Sequence, residues 1–380
     1  MITTLAIIIM FIYLLLIGLL TYGIDKVSLF KLQDLPAKTK FSIVIPFRNE
    51  AENLPKLLAS ISLLNYPKSM YEVILVDDDS DDDSVSIINN FFSTRPFDCA
   101  QGDIRIIKNE RTTNSPKKDA ITSAIKDSKF SWNITTDADC VLPKYWLDTL
   151  DEFIQTNSSN CIVAPVTYSG DNSFFNRFQT LDFLSLQGAT IGGFGINRPF
   201  MCNGANFAYR KSSFLNVNGF EGNTNIASGD DIFLLEKLLK LDAKKVHYLK
   251  SQKAIVTTKP SITFSSLIQQ RLRWASKTSR YNNIFAKGVG LIVLSGNLLC
   301  LALLPLVLFN MLSVKTATTL IFIKLSIDFL LLFKTSRFFK QETLLLSYIF
   351  SGFLYPFLSV YIALLSIFKS YKWKDRTFRK

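Results

Sequence analysis

Val73-Ile74-Leu75-Val76-Asp77-Asp78-Asp79-Ser80-Asp81-Asp82-Asp83 is a β-rich apolar run that ends abruptly in carboxylates. Trp132-Asn133-Ile134-Thr135-Thr136-Asp137-Ala138-Asp139 repeats the design further along. Phe41–Pro46, Ile104–Ile107 and Cys161–Val166 also read as strands. Between these runs, Glu52–Leu64, Ser84–Phe92, Lys117–Ile125 and Tyr145–Ile154 have helical spacing. Strand–helix alternation predicts an α/β domain, a mostly parallel sheet with helices on both faces. Ligands then gather at the carboxyl ends of the strands, where both acidic groups fall. Asn49 is expected to cap the first helix, with Glu52 completing a capping box.

Composition excludes several classes. Of 380 residues 48% are hydrophobic and the mean hydropathy is +0.22, which is incompatible with a disordered chain. Five cysteines, Cys99, Cys140, Cys161, Cys202 and Cys300, are too few and unsuitably spaced for a disulfide scaffold. The single histidine, His247, argues against a zinc site and against Ser-His-Asp chemistry. It sits in the apolar run Val246–Leu249 and reads as a strand residue. The net charge of +12 is not spread evenly. Residues 1–264 hold 27 basic and 28 acidic residues, whereas 265–380 hold 16 and 3. That excess borders apolar segments, the pattern of membrane-flanking charge and not of nucleic-acid binding.

Residues 1–24 form one uncharged apolar segment long enough to span a bilayer. Lys26, Lys31, Lys38 and Lys40 follow it, so the positive-inside rule places residues 25–264 in the cytosol. Residues 265–288 are basic and amphipathic, as expected of an interfacial helix. Residues 289–368 contain three apolar segments and are expected to give two to three spans. Within them, Lys324 and Asp328 are spaced i, i+4 and can neutralise each other. Gly352 and Pro356 are candidate helix breakers. The tail 369–380 carries six basic residues and is expected to be cytosolic, but three spans would put it outside.

Four polar groups carry the chemistry. Asp77 and Asp78, at a strand end, can accept hydrogen bonds from a base or ribose; Asp81, Asp82 and Asp83 read as a solvated helix cap. An EF-hand is excluded, because Asp82 and Ile88 stand where its Gly and Glu belong. Asp137 and Asp139 can share a hard divalent cation, Mg²⁺ or Mn²⁺. Ser228-Gly229-Asp230-Asp231 opens a helical run, where the dipole alone would favour acidic residues. Gln270-Arg271-Leu272-Arg273-Trp274 offers diphosphate donors and a stacking face, or simply a basic interfacial helix with an aromatic anchor.

In this order, and with apolar segments on each side, the groups resemble the membrane-bound family 2 glycosyltransferases. That branch includes cellulose, chitin and hyaluronan synthases and ceramide glucosyltransferases. Ser42–Glu50, Lys117–Ala120 and Asn203–Arg210 add to the likeness, which covers about residues 40–280. The resemblance implies a GT-A-like, Rossmann-like fold flanked by transmembrane helices. It implies transfer, with inversion, from a nucleotide sugar, most simply a UDP-sugar, to a lipid or glycan acceptor. Glu50, Asp77, Asp78, Lys117 and Asp137 would then hold the donor, and Asp137 and Asp139 the metal. Asp231 would be the general base, with Asp230 as its alternative. Asn206, Gln270, Arg273 and Trp274 would serve the acceptor and diphosphate.

One base and one metal suffice for direct displacement, and no motif for an enzyme nucleophile is evident. The expected location is a bacterial inner membrane, with the catalytic domain cytosolic and membrane lipids as partners. Gln270–Trp274 favours a processive polysaccharide synthase; the small number of apolar segments favours single transfer to a lipid acceptor. A non-catalytic membrane scaffold is the remote alternative.

Overall fold

The structure, a computed structural model, describes residues 1–93, 103–226, 228–277, 280–373 and 376–378. Cys99 and part of the basic tail lie outside them. The chain divides into two compact units. One contains residues 28–169 and 202–259, the other 1–27, 170–201 and 260–380.

The first unit is built on a seven-stranded sheet of β1 (Phe41–Phe47), β2 (Tyr71–Asp77), β3 (Asp103–Lys108), β4 (Trp132–Thr135), β5 (Cys161–Val163), β7 (Phe207–Arg210) and β8 (Val246–Tyr248). Its order is β3-β2-β1-β4-β7-β5-β8, parallel except for β7. Helices α2 (Leu54–Ser62), α3 (Ser84–Ser93), α4 (Pro116–Asp127) and α5 (Trp146–Thr156) make the crossovers, and α7 (Lys211–Asn216) and α8 (Asp230–Asp242) follow β7. β6 (Val166–Tyr168) and β9 (Val256–Thr258) form a separate parallel pair.

Ile43, Val44, Ile45, Val73, Ile74, Leu75 and Val76 are all buried, because central parallel strands are covered on both faces. Register places Phe47 of β1 beside Asp77 of β2, so the acidic loop starts where the pairing ends. The predicted run Cys161–Val166 is interrupted at Ala164-Pro165, because proline cannot donate to a ladder. His247 lies in β8 with Nδ1 2.8 Å from Ser159 Oγ, and burial lowers its pKa. The expected capping box at Asn49 does not form. α2 starts later, with Asn53 at its N-cap and Pro55 in its first turn. Asn49 instead adopts φ +51°, and its side chain accepts from the Asp81 backbone N–H.

The second unit holds α1 (Ile2–Lys26), α6 (Phe174–Gly195), α9 (Phe264–Ser276), α10 (Ile284–Leu308), α11 (Val314–Phe339), α12 (Tyr348–Phe368) and a hairpin of β10 (Tyr371–Trp373) and β11 (Arg376–Phe378). α1, α10, α11 and the stretch Glu342–Phe368 containing α12 are long and apolar enough to cross a membrane, by length and composition. Residues 170–201, expected inside the soluble domain, form α6 and cluster with these helices. Glycines make that packing possible. A Cβ at Gly192 would overlap the carbonyl of Leu20, and one at Gly23 the carbonyl of Gly192.

The predicted pair inside the apolar segments forms, with Lys324 Nζ 2.7 Å from Asp328 Oδ2. Tyr13 donates to Asp328 Oδ1 at 2.7 Å, which ties α1 to the pair on α11. Two expectations fail locally. Residues 265–288 are not one helix, because α9 ends at Ser276 and α10 begins at Ile284. α12 runs unbroken through Gly352 and Pro356.

Candidate active site

Lys117 is the second residue of α4, after Pro116, whose fixed φ suits the first helical position. Its ammonium lies 2.7 Å from Asp137 Oδ1, just past β4, and 3.2 Å from Asp230 Oδ2, the first residue of α8. Burial alone would lower the Lys117 pKa, but Asp137 and Asp230 outweigh it and hold the pKa above the ordinary lysine value. Gly229 precedes α8 with φ +85°, a conformation glycine adopts without strain. Asp231 follows, half-buried, with Oδ1 accepting from the Ile232 N–H at 2.8 Å.

Gly204 backs the cluster. A Cβ there would lie 3.1 Å from Asp230 Oδ2 and 3.6 Å from both Asp231 Cβ and Lys117 Nζ. The Asn203–Arg210 segment therefore reaches the site through a missing side chain, which residue-type reasoning had not singled out. Asp139 sits on the same edge. Burial, with Asp137 and Glu50 adding negative potential, pushes its carboxyl up to about 6. A bond from Thr258 and the charge of Lys117 act in the opposite sense. The fold thus gathers Glu50, Lys117, Asp137, Asp139, Asp230 and Asp231, which lie far apart in sequence.

The other acidic loop is more heavily engaged than its sequence suggests. Asp77 Oδ1 accepts from the Ser80 N–H at 3.0 Å. Asp78 Oδ1 accepts from Asn109 Nδ2 at 2.7 Å and Arg111 Nε at 2.6 Å. Arg111 and Asn109, just beyond β3, are the neighbours that sequence reasoning missed; the signal was a basic residue following a strand end. Glu50 Oε2 accepts from Asn53 Nδ2 at 2.6 Å.

Asn206, expected at the acceptor or diphosphate, is buried at 1% exposure with its amide internally engaged. Its Oδ1 accepts from Trp146 Nε1 at 3.0 Å, and its Nδ2 donates to the carbonyls of Pro165 and Ala254. Those bonds satisfy both ends of the amide and assign the residue a structural role. Gln270, Arg273 and Trp274 lie on α9 in the other unit. There the buried Arg271 pairs with Asp182, lies 4.3 Å from the Trp274 ring centroid and donates to Gln270 Oε1. Trp274 also packs beside Phe183, so part of its ring is already engaged.

Asp137 and Asp139 supply hard oxygens, and the raised Asp139 carboxyl marks negative charge that a cation would relieve. Among the described residues no group of three His, Cys, Asp or Glu is arranged to hold a metal. This donor set suits a hard divalent ion whose remaining ligands come from phosphate and water.

Residues 42–217 match the profile of glycosyl transferase family 2, and residues 132–368 that of glycosyl transferase family group 2. A stretch of 107 residues is 33% identical to glycosyltransferase AglE of Haloferax volcanii, covering 28% of this chain and 33% of that protein. Another of 238 residues is 23% identical to poly-β-1,6-N-acetyl-D-glucosamine synthase of Staphylococcus epidermidis, covering 62% and 53%. The matches thus take in about a third and a half of these relatives' lengths. Mannosyltransferase PcManGT of Pyrobaculum calidifontis, solved with GDP-Man and Mn²⁺, shares the fold with a TM-score of 0.61 at 13% identity, over 93% of this chain and 99% of that one. With a GT-A sheet in place and the larger of the two family matches covering more than half its length, this chain belongs to glycosyl transferase family group 2.

Proposed function

We propose that the protein transfers a sugar, with inversion, from a nucleotide-sugar donor to a lipid-linked or polysaccharide acceptor at the cytosolic face of a membrane. The observation that carries this reading is the Lys117-centred carboxylate cluster at the strand ends. Asp231 is the general base. It takes the proton from the acceptor hydroxyl as that oxygen attacks the anomeric carbon and the nucleoside diphosphate departs. Its place in the first turn of α8 holds the carboxylate on a rigid element. Lys117 positions Asp137 and Asp230 and contributes positive charge near the departing diphosphate.

Asp137 and Asp139 would hold Mg²⁺ or Mn²⁺, which neutralises charge on the diphosphate when bound. Asp77 and Asp78, steadied by Arg111 and Asn109, are assigned to the base and ribose, with Glu50 beside them. Gln270, Arg273 and Trp274 are assigned to the acceptor and diphosphate. UDP is the proposed nucleotide; PcManGT was solved with GDP-Man, which makes GDP the control.

Two acceptor classes remain in this reading. The Gln270–Trp274 motif and the likeness to a polysaccharide synthase favour a polymer. The small number of long apolar helices favours single transfer to a lipid. The experiment is to incubate the full-length protein in lipid with a panel of UDP- and GDP-sugars and weigh the products. A ladder of masses identifies a polymerase and one added sugar a single-transfer enzyme. No sugar transfer to any acceptor refutes the proposal.

A further inference from the structure

We infer that α12 does not cross the membrane but keeps both its ends on the side of the membrane where α6 begins and ends, with one apolar stripe sunk into the lipid. This inference concerns topology and does not rest on the proposed reaction.

Chain continuity labels one face first. α6 leaves the 28–169 segment at Gly170 and rejoins at Cys202, so both its ends lie on one face. Only four residues separate Lys259 from α9, too few for an extended chain to cross about 30 Å of hydrocarbon. At 13 residues, with two glutamines and two arginines, α9 is itself too short and polar to cross.

Both ends of α12 are tied to these two helices. Arg177 of α6 donates to the Thr343 carbonyl and to Ser347 Oγ, immediately before α12. Past its other end, Tyr371 is buried in one apolar cluster with Leu267 and Leu272 of α9 and Leu358 and Ile362 of α12. A helix whose two ends meet elements of one face cannot be a complete span.

The contacts along α12 agree. A crossing helix would run beside its predecessor from the connecting turn onward. α12 instead meets the middle of α11 with its own first turns, where Tyr348 donates to the Leu325 carbonyl and Gly352 packs on the Leu325 side chain. It meets α10 at mid-length too, where Asn297 donates to Ser359 Oγ at 3.2 Å. The helix therefore passes across its neighbours. Phe350, Phe353, Phe357, Tyr361, Leu364 and Phe368 are exposed at spacings of three and four residues, which makes one continuous apolar stripe. Lys340 precedes α12 and Lys369 follows it, so basic residues flank both ends, as expected when both lie on the positive face. Among the described residues, only α1, α10 and α11 then cross. This removes the conflict between three C-terminal spans and a basic tail on the cytosolic side.

The occupant of the stripe is bilayer lipid, and the test is sidedness. Ser158→Cys, Met311→Cys and Ser370→Cys each place a thiol on an exposed residue: the catalytic unit, the α10–α11 turn and the tail. Labelling by a membrane-impermeant maleimide is compared in intact and in inside-out vesicles, scored above the wild-type background. The expected result is that Ser370→Cys and Ser158→Cys gain and lose labelling together, and Met311→Cys does the reverse. Labelling of Ser370→Cys in step with Met311→Cys, or of all three from one side, overturns the assignment.

Discussion

The ammonium of Lys117 lies 2.7 Å from Asp137 Oδ1 while also reaching Asp230, so one side chain ties the end of β4 to the first turn of α8. Removing the lysine from this part-buried cluster leaves two carboxylates without their counter-charge. Lys117→Met is therefore expected to lower the melting temperature and to abolish turnover. Unchanged melting would show that the two carboxylates do not depend on this lysine.

Asp231→Asn keeps shape and hydrogen-bonding capacity but removes basicity. Turnover should fall on the order of 10²–10⁴, the usual contribution of a general base, while donor binding measured by calorimetry persists. Asp230→Asn should be milder, because Asp230 is held by Lys117. Reversed severities would exchange the two roles. Loss of donor binding in Asp231→Asn would move that residue into the donor site.

Turnover should require added Mg²⁺ or Mn²⁺ and be lost with EDTA. Asp139→Ala should remove both the activity and the metal-dependent increase in donor affinity. Near-normal activity of that variant would refute the metal assignment.

The raised carboxyl of Asp139 has a signed consequence for metal-free protein. Its folded pKa of about 6 lies above the ordinary aspartate value of about 4. Between those values the folded state keeps a proton that the unfolded state has released. Stability contributed by this group therefore falls as pH rises through that window and levels off above it. Asp139→Asn cannot ionise. In EDTA-treated samples its stability advantage over wild type should grow from pH 4 to pH 6 and then plateau, as read from denaturant midpoints.

Asn206→Ala should act on folding rather than on chemistry. It leaves the Trp146 indole N–H and two carbonyls without their partner. Each unsatisfied buried group costs about 1–3 kcal/mol. The expectation is a lower melting temperature with KM for donor and acceptor unchanged in the folded fraction. A selective rise in acceptor KM at unchanged stability would restore the binding role.

Local rules carried much of this protein. The apolar run ending in Asp77 announced a strand with an acidic end, because central parallel strands are covered on both faces. Trp132–Thr136 announced another through β-favouring residues before Asp137. The i, i+4 spacing of Lys324 and Asp328 announced their pairing, because one helical turn fixes that distance. Tertiary structure decided the rest. Asn206 looked like a ligand-binding amide, and only the arrival of Trp146, Pro165 and Ala254 from other segments spent its hydrogen bonds. Gly204 carried no signal of its own and Arg111 only that of a basic residue after a strand end, since their significance lies in what the fold brings beside them. Hydropathy counted α12 as a span because it measures length and apolarity. Whether a helix crosses is set by where its ends are anchored, and Arg177 and Tyr371 decide that across long separations in the chain.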